Sequence, residues 1–197
     1  MPIKVTYTNQ DINEYDLFEE IINCNLVSEI NCSVLKANQL TSLAAFDTNI
    51  NFPNLQVFNC ANNQLTSLPD MNFPNLQQLN CSHNRLTSLP DNMNFPNLQY
   101  FDCNYNLLTL LPNNMNLPNL RRFNCSDNKL TSLPLCILNF KNLRVFTDNN
   151  NEIELSLQIA QFIDRIKNNQ KKKRAKDRER KKRRKIKLLA QSDENNV

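Results

Sequence analysis

The sequence predicts an α/β repeat solenoid that is followed by a basic tail. Near-copies of LQQLNCSHNRLTSLPDNMNFPN, residues 76–97, recur in phase before and after it. The first positions of successive copies lie 25, 21, 22, 22 and 23 residues apart. Self-similarity at a fixed period of about 20 to 29 residues is typical of stacked repeats. Each column of the aligned copies holds one kind of residue, which indicates that every copy folds in the same way.

The columns predict how one repeat folds. Apolar residues at positions 4 and 6 alternate with polar neighbours, a period of two that predicts one short strand per repeat. Position 9 is always asparagine, whose side chain can satisfy backbone groups of the turn that ends the strand. Leucines at positions 11 and 14 are expected to fill the interior. The columns are Ile30, Leu55, Leu76, Leu98, Leu120 and Leu143 at position 1; Phe58, Leu79, Phe101, Phe123 and Phe146 at position 4; Leu35, Cys60, Cys81, Cys103, Cys125 and Asp148 at position 6; and Asn38, Asn63, Asn84, Asn106, Asn128 and Asn151 at position 9.

These columns match the pattern L-x-x-L-x-L-x-x-[N/C]-x-L, so the chain from Ile30 to Ile153 resembles the leucine-rich repeat family. The resemblance implies a leucine-rich repeat horseshoe with a parallel concave β-sheet, little convex helix and a C-terminal helix. It assigns about five to six repeats of 21–25 residues to the span 30–154. The composition, rich in Asn, Ile and Lys and without glycine, is also similar to repeat proteins of giant DNA viruses of amoebae.

Composition excludes several functional classes. With no glycine, the chain has neither a Walker loop nor a G-x-G-x-x-G fingerprint, and we expect no cofactor. Turns are expected to use asparagine instead, because asparagine tolerates the left-handed region better than most residues. No apolar run approaches 18 residues and the N-terminus has no signal-like segment. We therefore expect an intracellular protein, in host cytoplasm or nucleus, that is neither membrane-bound nor secreted.

Catalysis and metal binding find little support. The chain has one histidine, His83, at the outward position 8, while four of its seven cysteines share the inward position 6. A nucleophilic site needs base and nucleophile within hydrogen-bond reach. A zinc ladder or a disulfide stack would be the functional reading of the cysteines, but cysteine is also a common small buried hydrophobe. We favour the buried hydrophobe and expect no catalytic residue, no metal site and no enzyme activity.

The two ends of the solenoid need covering. Residues 1–29 fit no full repeat, and EYDLFEEIINC has helix-like apolar spacing, so we interpret this segment as an N-terminal cap; a shortened F-box is the alternative. Residues 155–166 predict a C-terminal capping helix, with a free amphipathic helix for a membrane or a partner as the alternative. Its predicted apolar face is Leu155, Ile159, Phe162, Ile163 and Ile166.

Positions 3, 5, 7 and 8 are expected to face outward from the concave sheet. Most of them are small and polar, and the larger or charged ones predict a contiguous protein-binding patch. Tyrosine and arginine are enriched in binding hot spots because they combine large contact area with directed hydrogen bonds. The patch is His83, Tyr100, Tyr105, Arg122 and Asp127.

Residues 167–197 form a basic tail, predicted to be helical or disordered. Between Arg165 and Lys187 there are fifteen Lys and Arg but two acidic residues, whereas residues 1–164 carry a net charge of −7. Two basic clusters resemble a bipartite nuclear-import signal; non-specific nucleic-acid binding and a solvated or intramolecular role remain alternatives. The clusters are Lys171, Lys172, Lys173 and Arg174, and Lys181, Lys182, Arg183, Arg184 and Lys185.

Together these features predict a monomeric protein–protein interaction module that binds a protein partner on its concave sheet. The tail would address the protein to the nucleus through an import receptor or add electrostatic anchoring. The alternative is a nucleic-acid-associated protein whose affinity resides in the tail. Partner identity does not follow from the repeat pattern.

Overall fold

The computed structural model describes residues 3–6, 27–33, 40–43 and 52–194. Two parallel sheets, one short 3-10 helix and one long α-helix make up these residues. The elements are β1 (Ile3–Thr6), β2 (Val27–Asn31), β3 (Val57–Asn59), β4 (Gln78–Asn80), β5 (Asn92–Asn94), β6 (Tyr100–Asp102), β7 (Asn114–Asn116), β8 (Arg122–Asn124), the 3-10 helix (Leu135–Asn139), β9 (Val145–Thr147) and α1 (Leu157–Glu194).

The main sheet confirms the predicted parallel solenoid. Its seven strands follow the order β1-β2-β3-β4-β6-β8-β9, and every neighbouring pair is parallel. From β3 onward each repeat contributes only positions 3 to 5 to this sheet, with Phe101 paired between Leu79 and Phe123. The position-4 side chains and the cysteines at position 6 are fully buried, so the predicted inward alternation is correct.

The first repeat lies three residues earlier than the sequence alignment placed it. Ile30 pairs with Phe58 at position 4, and Cys32 falls in the cysteine column that the alignment had assigned to Leu35. The alignment failed because the segment from Cys32 to Leu40 spans eight steps, whereas the one from Cys60 to Leu65 spans five. Leu35 and Asn38 lie outside the described residues.

The position-9 asparagines form a buried ladder, which confirms their predicted role. The amide nitrogen of Asn84 donates to the carbonyls of Cys81 (3.1 Å) and Ser82 (3.2 Å) in its own turn. It also donates to the carbonyl of Cys60 (3.0 Å) in the preceding repeat. Its oxygen accepts the backbone N–H of Leu65 at 3.0 Å. The same bonds recur in the other repeats, at Asn63, Asn106, Asn128 and Asn151.

A residue in the left-handed conformation follows each of the last five strands of the main sheet. Position 8 has a positive φ in five successive repeats, although the chain has no glycine to adopt it. The five residues are Asn62 (58°), His83 (52°), Tyr105 (51°), Asp127 (55°) and Asn150 (57°). Asparagine fills the position in the outer two of these repeats, as its conformational tolerance predicts. The three between them use larger or charged residues.

Two features behind the main sheet were not predicted. Strands β5 and β7 form a second parallel sheet, with Met93 and Met115 paired and buried. A column of apolar residues that each precede a proline or lysine is also buried, and its carbonyls accept the N–H of the position-1 leucines. That column is Phe52, Phe73, Phe95, Leu117 and Phe140. Within the described repeats, the 3-10 helix is the single helical segment, in line with the little convex helix that was expected.

Helix α1 packs against β9 and the 3-10 helix at the C-terminal end of the solenoid. Ile159, Phe162, Ile163 and Ile166 are buried, whereas Leu155 is 38% exposed and does not join this face. The helix does not end at residue 166 but continues through the basic tail to Glu194. The helix-like segment predicted within residues 1–29 lies outside the described residues, while β1 from that region pairs with β2.

An ion pair fixes the helix to the last repeat. Asp148 occupies the column that holds cysteine in the preceding repeats, and its carboxylate bonds to the Lys167 ammonium at 3.0 Å. Asp148 is only 12% exposed at its side chain. Burying a carboxylate is costly unless it is paired. An aspartate can therefore replace the cysteine at this position because Lys167 pairs with it.

Candidate partner-binding face

The outward face of the main sheet carries a side-chain network at Asp102. Its carboxylate accepts the Tyr100 hydroxyl at 2.7 Å, the Asn104 backbone N–H at 3.1 Å and the Asn124 amide at 3.4 Å. Thr147 continues the network by donating to Asn124 at 2.7 Å. Burial and the Asp102 hydrogen bond raise the pKa of Tyr100 to about 12. The network holds the Tyr100 ring in place, which lowers the entropy that a partner must remove on binding.

Position-5 residues are structural rather than free to bind. The side-chain oxygens of Asn59, Asn80, Asp102 and Asn124 accept the backbone N–H two residues on, at 3.1 to 3.2 Å. This is the local turn that asparagine and aspartate form with their own backbone. The same side chains that the sequence placed on the outer face thus close the turn at the end of each strand.

The prediction that position 7 faces outward is wrong in three of five repeats, whereas Asn104 is partly exposed and Asn149 is exposed. Ala61, Ser82 and Ser126 are 2%, 6% and 6% exposed, respectively. Neighbouring turns remain hydrogen-bonded beyond the strands, since the N–H of Asn62 donates to the carbonyl of Ser82 at 3.0 Å. This continued backbone ladder stacks the turns closely enough to bury the small position-7 side chains of these three repeats.

The predicted patch divides into two rows. Tyr100 and Arg122 are paired neighbours at position 3 on β6 and β8. His83, Tyr105 and Asp127 instead occupy the left-handed position that follows the strands. The rings of His83 and Tyr105 are stacked, with centroids 4.4 Å apart and planes 11° from parallel. Tyr105 is 50% exposed, so this stack offers a broad aromatic surface to solvent.

Asp127 extends the turn row, which is the row of left-handed residues His83, Tyr105, Asp127 and Asn150. Its carboxylate accepts a hydrogen bond from the side-chain amide of Asn150. The turn row therefore presents aromatic, then acidic, then amide chemistry in consecutive repeats, all at residues with positive φ.

A basic cleft adjoins the face and was missed by sequence reasoning. Its volume is about 560 Å³, and it lies between helix α1 and the last two repeats. It brings Arg122 of the predicted patch together with Lys173 and Arg174 of the predicted tail. Position 2 contributes Arg121 and Arg144 to the cleft. The sequence did carry a signal for them, because position 2 changes to these two arginines after three repeats that hold glutamine. The glutamines are Gln56, Gln77 and Gln99. The second basic cluster, Lys181 to Lys185, is exposed further along α1.

The buried thiols cannot serve as nucleophiles in the folded state. Desolvation by burial raises the pKa of Cys32 to about 12 and that of Cys60, Cys81, Cys103 and Cys125 still further above the ordinary value. The described cysteines are all free thiols. Over the described part of the chain, no three His, Cys, Asp or Glu side chains cluster in a way that could hold a metal ion.

Part of the repeat region matches a known protein-family model. Residues 74–114 match the family model described as Leucine Rich repeats (2 copies). The fold is a leucine-rich repeat solenoid. Leucine-rich repeat domains generally mediate protein–protein interaction, and proteins built from them are typically non-enzymatic.

Two solved structures are similar to the chain. YopM from Yersinia enterocolitica has 26% identity and a TM-score of 0.45, over 66% of this chain and 30% of YopM. A leucine-rich repeat protein of Leptospira interrogans has 22% identity and a TM-score of 0.35, over 72% of this chain and 47% of that protein. The chain thus spans less than half the length of either protein. No curated protein sequence matches it. Among the described residues, no helix is long and apolar enough to cross a bilayer.

Proposed function

We propose that the chain is a monomeric protein–protein interaction module, without catalytic activity, whose partner docks on the outward face of the main sheet. The contact residues are His83, Tyr100, Tyr105, Arg122 and Asp127, in the two rows described above. The leucine-rich repeat fold supports this class of function, and the residues that interrupt its small polar surface mark the contact region.

The His83–Tyr105 stack carries the proposal. Both rings sit on residues with positive φ, a conformation that histidine tolerates but that costs tyrosine roughly 1 to 2 kcal/mol relative to a tolerant residue. Asn62 and Asn150 show that the same turn forms with asparagine. The chain therefore retains aromatic rings at a conformational cost, and half-exposed, pre-positioned aromatics are suited to bury area against a partner.

The basic part of α1 gives the module its location or an electrostatic anchor. Lys171 to Arg174 and Lys181 to Lys185 are exposed along one continuous helix and are accessible to an import receptor. The composition supports an origin in a giant DNA virus of amoebae, so the host cytoplasm and nucleus are the compartments we propose.

Association with nucleic acid through the same helix is the second candidate. The observation that favours it is the run of exposed cations beyond the solenoid, which would release counterions on binding phosphates. Binding of this kind weakens steeply between about 50 and 200 mM salt. An aromatic protein interface is much less sensitive to salt.

Affinity purification with mass spectrometry separates the two candidates. Three forms of the whole chain are compared at 200 mM salt, each with and without nuclease treatment. They are wild type, a face variant with His83→Asn and Tyr105→Asn, and a tail variant with Lys181, Lys182, Arg183, Arg184 and Lys185 changed to Gln. We expect one protein partner to be captured by wild type and the tail variant but lost from the face variant. Capture that requires the tail and disappears with nuclease would refute the protein-interaction module.

A further inference from the structure

We propose that the basic cleft between α1 and the last two repeats binds a small ligand that carries several phosphate groups. This site is separate from the partner-binding face, with which it shares only Arg122. It shares Lys173 and Arg174 with the tail's first basic cluster and no residue with the second. The inference therefore goes beyond the proposed function and stands or falls independently of it.

Five cationic side chains line the cleft against a single carboxylate. The cations are Arg121, Arg122, Arg144, Lys173 and Arg174, and the carboxylate is Asp177. None of the five belongs to an ion pair among the described residues, where the cations of the pairs are Lys4, Lys167 and Arg183. Unpaired like charges in a partly enclosed site repel one another and create a strong positive potential that favours an anion. Packing α1 against the solenoid thus brings together charges that only an added anion would neutralise.

The residue types indicate phosphate. Four of the five cations are arginines, whose planar guanidinium donates two parallel hydrogen bonds to phosphate or carboxylate oxygens. Because five cationic side chains line one cleft, a ligand with several anionic groups would contact more of these side chains than a single carboxylate could.

An unpaired buried donor lies on the same wall. The side-chain nitrogen of Gln170 is fully buried and has no hydrogen-bond partner, and Gln170 lines the cleft. Leaving such a group unpaired costs roughly 1 to 3 kcal/mol. This nitrogen is inaccessible to solvent in the present conformation, so a rotation of the Gln170 side chain toward the cleft would let it donate to an oxygen of a bound phosphate and would remove that cost.

The shape favours a small ligand over a nucleic-acid strand. A volume of about 560 Å³ lies within the range of small-molecule sites, about 300 to 1,000 Å³. The apolar side chains of Leu143, Val145 and Ile166 form part of the wall, and the five cationic side chains around it are exposed to an entering ligand. No described aromatic ring lines the cleft, so it lacks the stacking platform that single-stranded nucleic acids use.

Isothermal titration of the full chain with sodium tripolyphosphate at 150 mM salt tests the site. The cleft variant is Arg121→Gln with Arg144→Gln, which restores the glutamine found at position 2 in three preceding repeats and so suits the fold. The matched control is Lys181→Gln with Lys182→Gln, which removes the same charge further along α1. We expect saturable one-to-one binding that weakens at least tenfold in the cleft variant and less than twofold in the control. Equal weakening in both, or no saturable binding to wild type, would overturn the proposal.

Two further arms distinguish the source of the phosphates and the part played by Gln170. A single-stranded oligonucleotide that binds more tightly than tripolyphosphate, and loses more affinity in the tail control than in the cleft variant, would also overturn the proposal. For Gln170→Leu, we expect a melting temperature equal to or above that of wild type without ligand, and a tripolyphosphate affinity at least threefold weaker. Unchanged affinity in this variant would remove Gln170 from the site and contradict the argument from the buried donor.

Discussion

The imidazole ring of His83 lies parallel to the phenol ring of Tyr105, one repeat away, with ring centroids 4.4 Å apart. The two residues share a left-handed backbone conformation, with φ of 52° and 51°. The stack contributes about 0.5 to 1.5 kcal/mol, and the left-handed backbone costs a similar amount at Tyr105, since histidine tolerates this conformation better than tyrosine. The aromatic pair is thus close to neutral for stability.

Replacing both residues by asparagine tests that balance. We expect His83→Asn with Tyr105→Asn to leave the free energy of unfolding unchanged or to raise it by about 1 kcal/mol, since asparagine is less strained at positive φ. Urea denaturation followed by circular dichroism measures the change. A loss of more than about 1 kcal/mol would show that the stack is there for stability and would weaken its assignment to a partner.

The asparagine ladder is expected to carry a large share of the solenoid's stability. Asn84→Ala removes donations to three buried carbonyls and leaves the Leu65 N–H without its acceptor. We expect a loss of roughly 1 to 3 kcal/mol in urea denaturation, because unsatisfied buried polar groups are costly. The exposed Asn113→Ala is the control and should change stability by less than about 0.5 kcal/mol. Equal, small effects of the two substitutions would contradict the ladder.

Thiol labelling should report burial rather than reactivity. At pH 8 the native chain is expected to protect Cys60, Cys81, Cys103 and Cys125 from iodoacetamide, because they are fully buried and their pKa values are raised by desolvation. Cys136 is partly exposed and is expected to react first among the described cysteines. Peptide mapping in the presence and absence of denaturant checks the order. Rapid native labelling of the column would contradict a packed thiol core.

Tyr100 should titrate above the ordinary range of a tyrosine. Burial and the Asp102 hydrogen bond raise its pKa to about 12 in the folded state, against about 10 for an unperturbed tyrosine. The folded state therefore holds this proton more tightly, so the contribution to stability is present below pH 10 and is lost as pH rises to about 12. Ultraviolet absorbance of the phenolate measures the titration. We expect Tyr100→Phe to remove the step near pH 12 and Asp102→Asn to move that step to lower pH; a step near pH 12 that survives Tyr100→Phe would contradict the assignment.

The repeat itself could be predicted because its columns encode the physics directly. Alternation at positions 4 and 6 determines which side of a strand is buried, and an asparagine at every position 9 has few roles other than satisfying turn backbone. The register of the first repeat could not be predicted with the same certainty. Ile30 suits either position 1 or position 4 by its chemistry, and only the pairing with Phe58 decides between them.

The candidate site was less predictable than the fold. Simple alternation placed Ser82 outward, but alternation ends with the three-residue strand, and the turn that follows buries this side chain. The positive φ of Tyr105 had no sequence signal, because glycine, its usual marker, does not occur in this chain. The basic cleft depends on the path of α1 across Arg121 and Arg144, which a charge count along the sequence cannot supply.

The affinity of the captured protein partner for the face variant tests the central claim most directly. Surface plasmon resonance at 200 mM salt would compare wild type, His83→Asn with Tyr105→Asn, and the cleft variant Arg121→Gln with Arg144→Gln. We expect the face variant to bind at least tenfold more weakly at a melting temperature equal to or above that of wild type, and the cleft variant to bind as wild type does. Wild-type affinity in the face variant would contradict the assignment of the outward face as the partner-binding surface.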